Sequence, residues 1–172
     1  MARTQNQSLM EVLLDSWDRS NTILLGLLRA LPEGGLEARV MESSPSAAEL
    51  FTHIHYVRMV LLSEDTPEFA GDLPGEEWVD ERDRSRIAQM LNDSAQAVRN
   101  AVESRVEAGL EMDLHYDHPI LLLQHMLWHE GYHHGQIKLA LKARGIAITD
   151  KEAGPVTWGV WMRKNLRVSE RD

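Results

Sequence analysis

Three histidines of this chain recur in step with the α-helical repeat. His125, His129 and His133 stand at i, i+4 and i+8, so a helix through them places all three on one face. Leu122, Met126, Ile137 and Leu141 share that face, which sets the row within or beside a buried stripe. Imidazoles buried there without partners cost a few kcal/mol each, so something must satisfy them. Two imidazoles one turn apart can offer nitrogens to a single metal ion. On another apolar segment, His53 lies beside the stripe Leu50, Ile54, Val57 and Leu61 and could supply a third nitrogen if the two segments face each other. Three neutral imidazoles leave a coordination position for water or substrate. The competing reading is a row of core histidines bonded to carbonyls, Glu or Gln, and spacing alone does not separate the two.

Residues 129 to 133, His-Glu-Gly-Tyr-His, also match H-E-x-x-H. In a zinc peptidase Glu130 would then be the general base, and Glu152 could be offered as a downstream third ligand. This reading ranks second. Gln136 and Leu139 occupy the positions where the longer metzincin motif needs Gly and His, and no upstream strand signal could hold an extended peptide. The remaining histidines point elsewhere. His55 is turned by about 200° from His53, and His134 by about 100° from His133, which is expected to put His134 at the surface. His118 precedes Pro119 and belongs to a helix start, and His115 falls in a short connector.

Composition narrows the chemistry. Cysteine is absent, which removes disulfides, thiolate metal sites and a cysteine nucleophile. Eighteen Lys+Arg against 27 Asp+Glu give a formal net charge of -9, which repels a phosphate backbone. Positive charge gathers only near the C-terminus, at Arg163, Lys164 and Arg167, so no nucleic-acid partner is expected. No run approaches the roughly 20 apolar residues that span a bilayer, and the N-terminus has no apolar leader core. A cytoplasmic protein with no membrane partner is the expectation. With 172 residues, 43% hydrophobic, the chain suits one domain covering residues 1–172.

Four helical segments must position the histidines. The first opens at Ser8 with Glu11 as a capping box and stops at Pro32-Glu33-Gly34-Gly35. The second is expected to start at Ser44-Pro45 and to end at Thr66-Pro67. A loop containing Pro74, Gly75 and an acidic stretch leads to a third helix over 85–108, closed by Gly109. The fourth begins at Pro119 and runs to Arg144, with Gly145 as its stop. Val156, Trp158, Val160, Trp161 and Leu166 suggest a short fifth helix on the bundle. Strand-like alternation is weak throughout, so the fold class is all-α, a four-helix bundle. Gly131 and Gly135, each about 1 kcal/mol worse than Ala in a helix, would form a shallow strip for a neighbouring helix. Trp128 and Tyr132 read as core or interface packing.

The segment His129-Glu130-Gly131-Tyr132-His133-His134-Gly135-Gln136-Ile137 resembles the last bundle helix of the DinB/YfiT-like family, whose pattern is close to H-x-x-x-H-[R/H]-G-Q-[I/L]. The family's earlier motif, a Ser-x-x-[E/D]-L helix start followed by His-Ile, is matched by Ser46-Ala47-Ala48-Glu49-Leu50 and His53-Ile54. The resemblance implies His53, His129 and His133 as metal ligands. It also implies an up-down-down-up four-helix bundle with a long crossover, a divalent ion such as nickel or zinc, and a homodimer. Related members include transferases and isomerases that use low-molecular-weight thiols.

Two features depart from the pattern: His134 stands where Arg is often found, and His125 is an additional histidine one turn earlier, which leaves a His125–His129 pair open. His125 and Gln136 are candidate pocket groups or supports behind the ligands, with a solvated amide the plainer role for Gln136. Two reactions suit an incompletely ligated ion. Water could be acidified to a pKa near 7 for hydrolysis, or an external thiol could be presented as thiolate for transfer. The resemblance tilts the expectation to thiol transfer on a small-molecule substrate. A non-catalytic metal-binding or sensing bundle is the alternative of another class.

Overall fold

The computed structural model describes residues 8–162. Four long helices dominate: α1 (Leu9–Ala30), α2 (Ala47–Asp65), α3 (Arg84–Ala108) and α4 (Pro119–Ala143), followed by a short α5 (Asp150–Ala153). Local chemistry fixes most of their ends. Ser8 and Ser46 each accept the N3 amide while Glu11 and Glu49 return to the cap amide, which satisfies two orphan donors at each start. Asp83 caps α3, and His118 Nδ1 accepts from the Ile120 amide at the start of α4. Gly109 closes α3 in the left-handed conformation, φ 67°, where a side chain would be strained. The second helix starts two residues later than Ser44-Pro45 suggests, because Ser46 and Glu49 form the capping box and Pro45 stays outside.

Two apolar layers give the direction of every helix. One layer joins Leu24, Leu27 and Leu28 of α1 to Phe51 and Ile54 of α2, Ile87 of α3 and Ile137 and Leu141 of α4. The other joins Leu14 and Trp17 to Met59 and Leu62, Val98 and Val102, and Leu122 and Met126. The end of α1 therefore lies beside the starts of α2 and α3 and the end of α4, which is an up-down-down-up bundle. The backbones of the consecutive helices α1 and α2 do not approach each other closely; the two lie across a diagonal, joined through the apolar layers and through side chains such as Arg58. Parallel neighbours α2 and α3 require a crossover the length of the bundle, supplied by residues 66–83. Among the described residues there is no strand, and no helix is long and apolar enough to cross a membrane.

A polar cluster sits within this apolar frame. Arg58, 0% exposed, donates from Nε to Glu130 Oε1 at 2.7 Å and from Nη1 to the Leu91 carbonyl at 2.7 Å and Asn21 Oδ1 at 3.1 Å. Its guanidinium lies 4.8 Å from the Trp17 ring, a distance at which cation and ring attract. Asp65, fully buried at the end of α2, accepts the amides of Leu114 and His115 and stands 2.9 Å from His115 Nδ1. That carboxylate ties the α3–α4 connector, and with it the register of α4, to α2.

The C-terminal segment departs from a single helix. α5 starts at Asp150, and two 3-10 turns follow at Gly154–Val156 and Trp158–Val160; Leu166, with Arg163, Lys164 and Arg167, lies outside the described residues. The segment packs on α1, where a Cβ at Gly26 would run into the Val156 carbonyl. Arg19 Nη1 donates to the Val160 carbonyl at 2.7 Å. A three-residue turn geometry fits Gly154-Pro155, which removes an amide donor from any continuing α-helix.

Candidate metal centre

The juxtaposition of α2 and α4 brings His53, His129 and His133 together. Ring nitrogens of the three all lie within 4.8 Å of one another. His129 Nε2 stands 3.3 Å from His53 Nε2 and 3.0 Å from His133 Nε2. Two nitrogens held about 2.0–2.1 Å from one ion stand about 3.0–3.4 Å apart at bond angles between octahedral and tetrahedral. The group therefore fits a single divalent ion without rearrangement of α2 against α4.

The outer nitrogens fix which face of each ring looks inward. His133 Nδ1 lies 2.7 Å from Gln136 Oε1. A carbonyl oxygen can only accept, so Nδ1 carries the proton and Nε2 keeps its lone pair. Gln136 is held in turn by donating from Nε2 to Tyr132 Oη at 3.0 Å. Glu77 Oε1 stands 3.0 Å from His53 Nδ1, out of line for a hydrogen bond, and its negative charge favours the proton on that side of the ring. The His53 ring is stacked on Trp78, centroids 4.1 Å apart and planes within 2°. Two inward lone pairs thus face His129 Nε2, whose one possible proton can satisfy at most one of them. His129 Nδ1 is buried without a hydrogen-bond partner.

Electrostatics keep the three rings neutral. Burial lowers the pKa of each; at His129 it acts together with His133, His53, His125 and Arg58 to bring the value down to about 3. Neutral imidazole is the form that ligates metal.

The other sequence candidates fall outside this cluster. His125 is exposed and its Nδ1 is 2.7 Å from Tyr116 Oη, with its ring 6.5 Å from that of His129; it supports the edge of the row, and the cluster pairs His129 with His133. Burial of the Tyr116 phenol pushes its pKa up to about 12, so Tyr116 stays protonated beside His125. Gln136 is engaged behind His133 and is not a free surface amide. Glu130 is turned into the core on Arg58. Glu152 serves the cap of α5, bonded to Thr149.

Three expectations need correction. His134 is half-buried with Nε2 enclosed, because the C-terminal turns cover that side of α4. A Cβ at Gly131 or Gly135 would meet nothing within 4 Å, so the two glycines admit no neighbouring helix among the described residues. Of the core or interface packing expected for Trp128 and Tyr132, the core half does not hold: Trp128, 71% exposed, and Tyr132 lie outside the core and stack on each other. Glu77 and Trp78, which no spacing in the sequence links to His53, sit on an aperiodic crossover whose path only packing decides.

The DinB family model matches residues 1–150. This chain belongs to the DinB family. No curated protein and no solved structure matches it significantly. Within the DinB fold seen here, the helix pair that carries the His53 and His129–His133 motifs is the pair whose side chains converge.

Proposed function

We propose that this DinB protein is a metal-dependent enzyme whose divalent ion, nickel or zinc, is held by His53, His129 and His133, and that it transfers a low-molecular-weight thiol to a small electrophile. The observation that carries the reading is the convergence of three Nε2 atoms, with the His133 proton held on the far side of its ring by Gln136 and a carboxylate beside the outer nitrogen of His53. All-nitrogen imidazole donors suit zinc and nickel. When bound, such an ion supplies Lewis acidity that favours the anionic form of a thiol or of water. The chain contributes the positioning: Gln136 and Glu77 orient the His133 and His53 rings, and Trp78 shields one face of His53 from water. Because the sequence has no cysteine, any thiol must arrive as a cosubstrate.

The H-E-x-x-H peptidase reading is less well supported, since Glu130 Oε1 is bonded to Arg58 in the core at 2.7 Å and a general base must reach water at the ion. The exposed residues Leu121, Trp128, Tyr132 and Leu139 on α4 support a homodimer as part of the same reading; light scattering of the purified protein tests it. The function itself is tested by metal analysis followed by a screen of small electrophiles with and without added thiols. Close to one divalent ion per chain, lost in His53→Ala and His129→Ala, with thiol-dependent turnover, is the expected result. Thiol-independent turnover would replace transfer by hydrolysis. A full metal complement with no turnover of any electrophile would favour a binding or sensing role.

A further inference from the structure

A cavity lies on the face of α4 next to the ligand row. Residues 130 and 134 follow the ligands 129 and 133 by one position, which turns them by about 100° around the helix. There the cavity, of about 320 Å³, opens between α1, α4 and the C-terminal turns, within the size range of small-molecule sites. Its walls are apolar and aromatic, with Ile23, Leu24, Leu127, Trp158 and Trp161 among them. Three polar side chains of α4, Glu130, His134 and Lys138, interrupt the apolar wall; Lys138 is drawn to Asp150, 3.9 Å away, which leaves the first two to face a ligand. Glu130 is 1% exposed, and although Oε1 is bonded to Arg58, its Oε2 has no partner; His134 Nε2 is likewise buried without one. Buried polar atoms are normally paired, and an unpaired acceptor beside an open cavity marks a place for a ligand group.

The C-terminal turns are held where they complete this cavity. Gly26 lets the Val156 carbonyl approach α1, Arg19 binds the Val160 carbonyl, and the Trp158 ring lies over Gly154, where a Cβ would come within 2.6 Å of it. Both tryptophans are therefore presented by a fastened wall, though each is about half exposed at the mouth.

We propose that this cavity binds a small planar aromatic molecule carrying a hydroxyl group, of the phenol class. An i, i+4 pair presents its side chains side by side. One hydroxyl can donate to Glu130 Oε2 and accept from the Nε2–H of a neutral His134, so a single polar head satisfies both atoms. The aromatic body then lies against Leu127, Ile23 and the indoles, where flat rings pack best. The site requires no metal and stands apart from the thiol-transfer reading.

The test uses the full-length protein as purified, with 2-naphthol, its methyl ether and 2-naphthoate as probes. Titrations are followed by calorimetry and by the indole N–H signals of the five tryptophans in a nitrogen–proton correlation spectrum. Saturable 2-naphthol binding is expected to move two indole signals, those lost in the Trp158→Phe and Trp161→Phe spectra. The methyl ether, which cannot donate, should bind at least about tenfold more weakly. Gly131→Leu and Ser20→Phe plug the cavity from opposite walls and should each abolish binding while metal content stays the same. Equal binding of the ether, tighter binding of 2-naphthoate, no saturable binding of 2-naphthol, or unchanged binding in a folded plug variant overturns the proposal.

Discussion

Replacing Glu130 by alanine separates a structural carboxylate from a catalytic one. Arg58 is fully buried, and Glu130 is its one carboxylate partner among the described residues, at 2.7 Å. Removing one member of a buried pair leaves an uncompensated charge and typically costs 3–5 kcal/mol. Arg58 retains the Leu91 carbonyl, Asn21 and the Trp17 ring, which spread its charge, so the lower end, about 3 kcal/mol, is expected. A domain of this size moves about 2–4 °C in Tm per kcal/mol, giving a drop of roughly 6–12 °C. Urea unfolding followed by circular dichroism measures the free energy directly. The Arg58→Met/Glu130→Leu double variant removes both charges and should recover most of the loss, since apolar replacements of buried pairs are often neutral or better. A general base facing the ion would behave differently, leaving stability nearly unchanged in Glu130→Ala. A loss below about 1 kcal/mol, or a double variant less stable than the single one, refutes the argument.

Further outcomes follow from the same geometry. His125→Ala should keep its metal, in contrast to His133→Ala, because His125 bonds Tyr116 outside the cluster; inductively coupled plasma analysis of both variants checks this. The metal-free protein should lose stability as pH falls. With folded pKa values held below the ordinary 6.5, and that of His129 near 3, the unfolded chain binds more protons between those limits. Stability is then complete above about pH 6.5 and declines below it, which denaturant midpoints across pH 4–8 will show; a midpoint that rises on acidification contradicts it. Gly26→Ala should detach the C-terminal turns from α1, because its Cβ meets the Val156 carbonyl. The readout is a changed tryptophan emission with the far-ultraviolet helix signal nearly unchanged.

The sequence by itself determined the local structure and the ligand types. Capping residues, proline and glycine stops and the 3.6-residue period depend on neighbours within a few positions, so α1, α3 and α4 could be read within a residue or two. The i, i+4 spacing of His129 and His133 places both imidazoles on one face of any helix that contains them, whatever surrounds it. Tertiary structure decided the rest. Whether His53 meets that pair depends on the register of α2 against α4, which two apolar layers and the Asp65 anchor set together. Glu77 and Trp78 reach His53 through a crossover with no period to betray its course. The burial of Arg58 on Glu130, the enclosure of His134 and the exposure of Trp128 all turn on which face of a helix another element happens to cover. Side-chain spacing is a property of one helix, whereas coverage belongs to the assembled bundle, and the cavity beside α4 exists only because the C-terminal turns close over it.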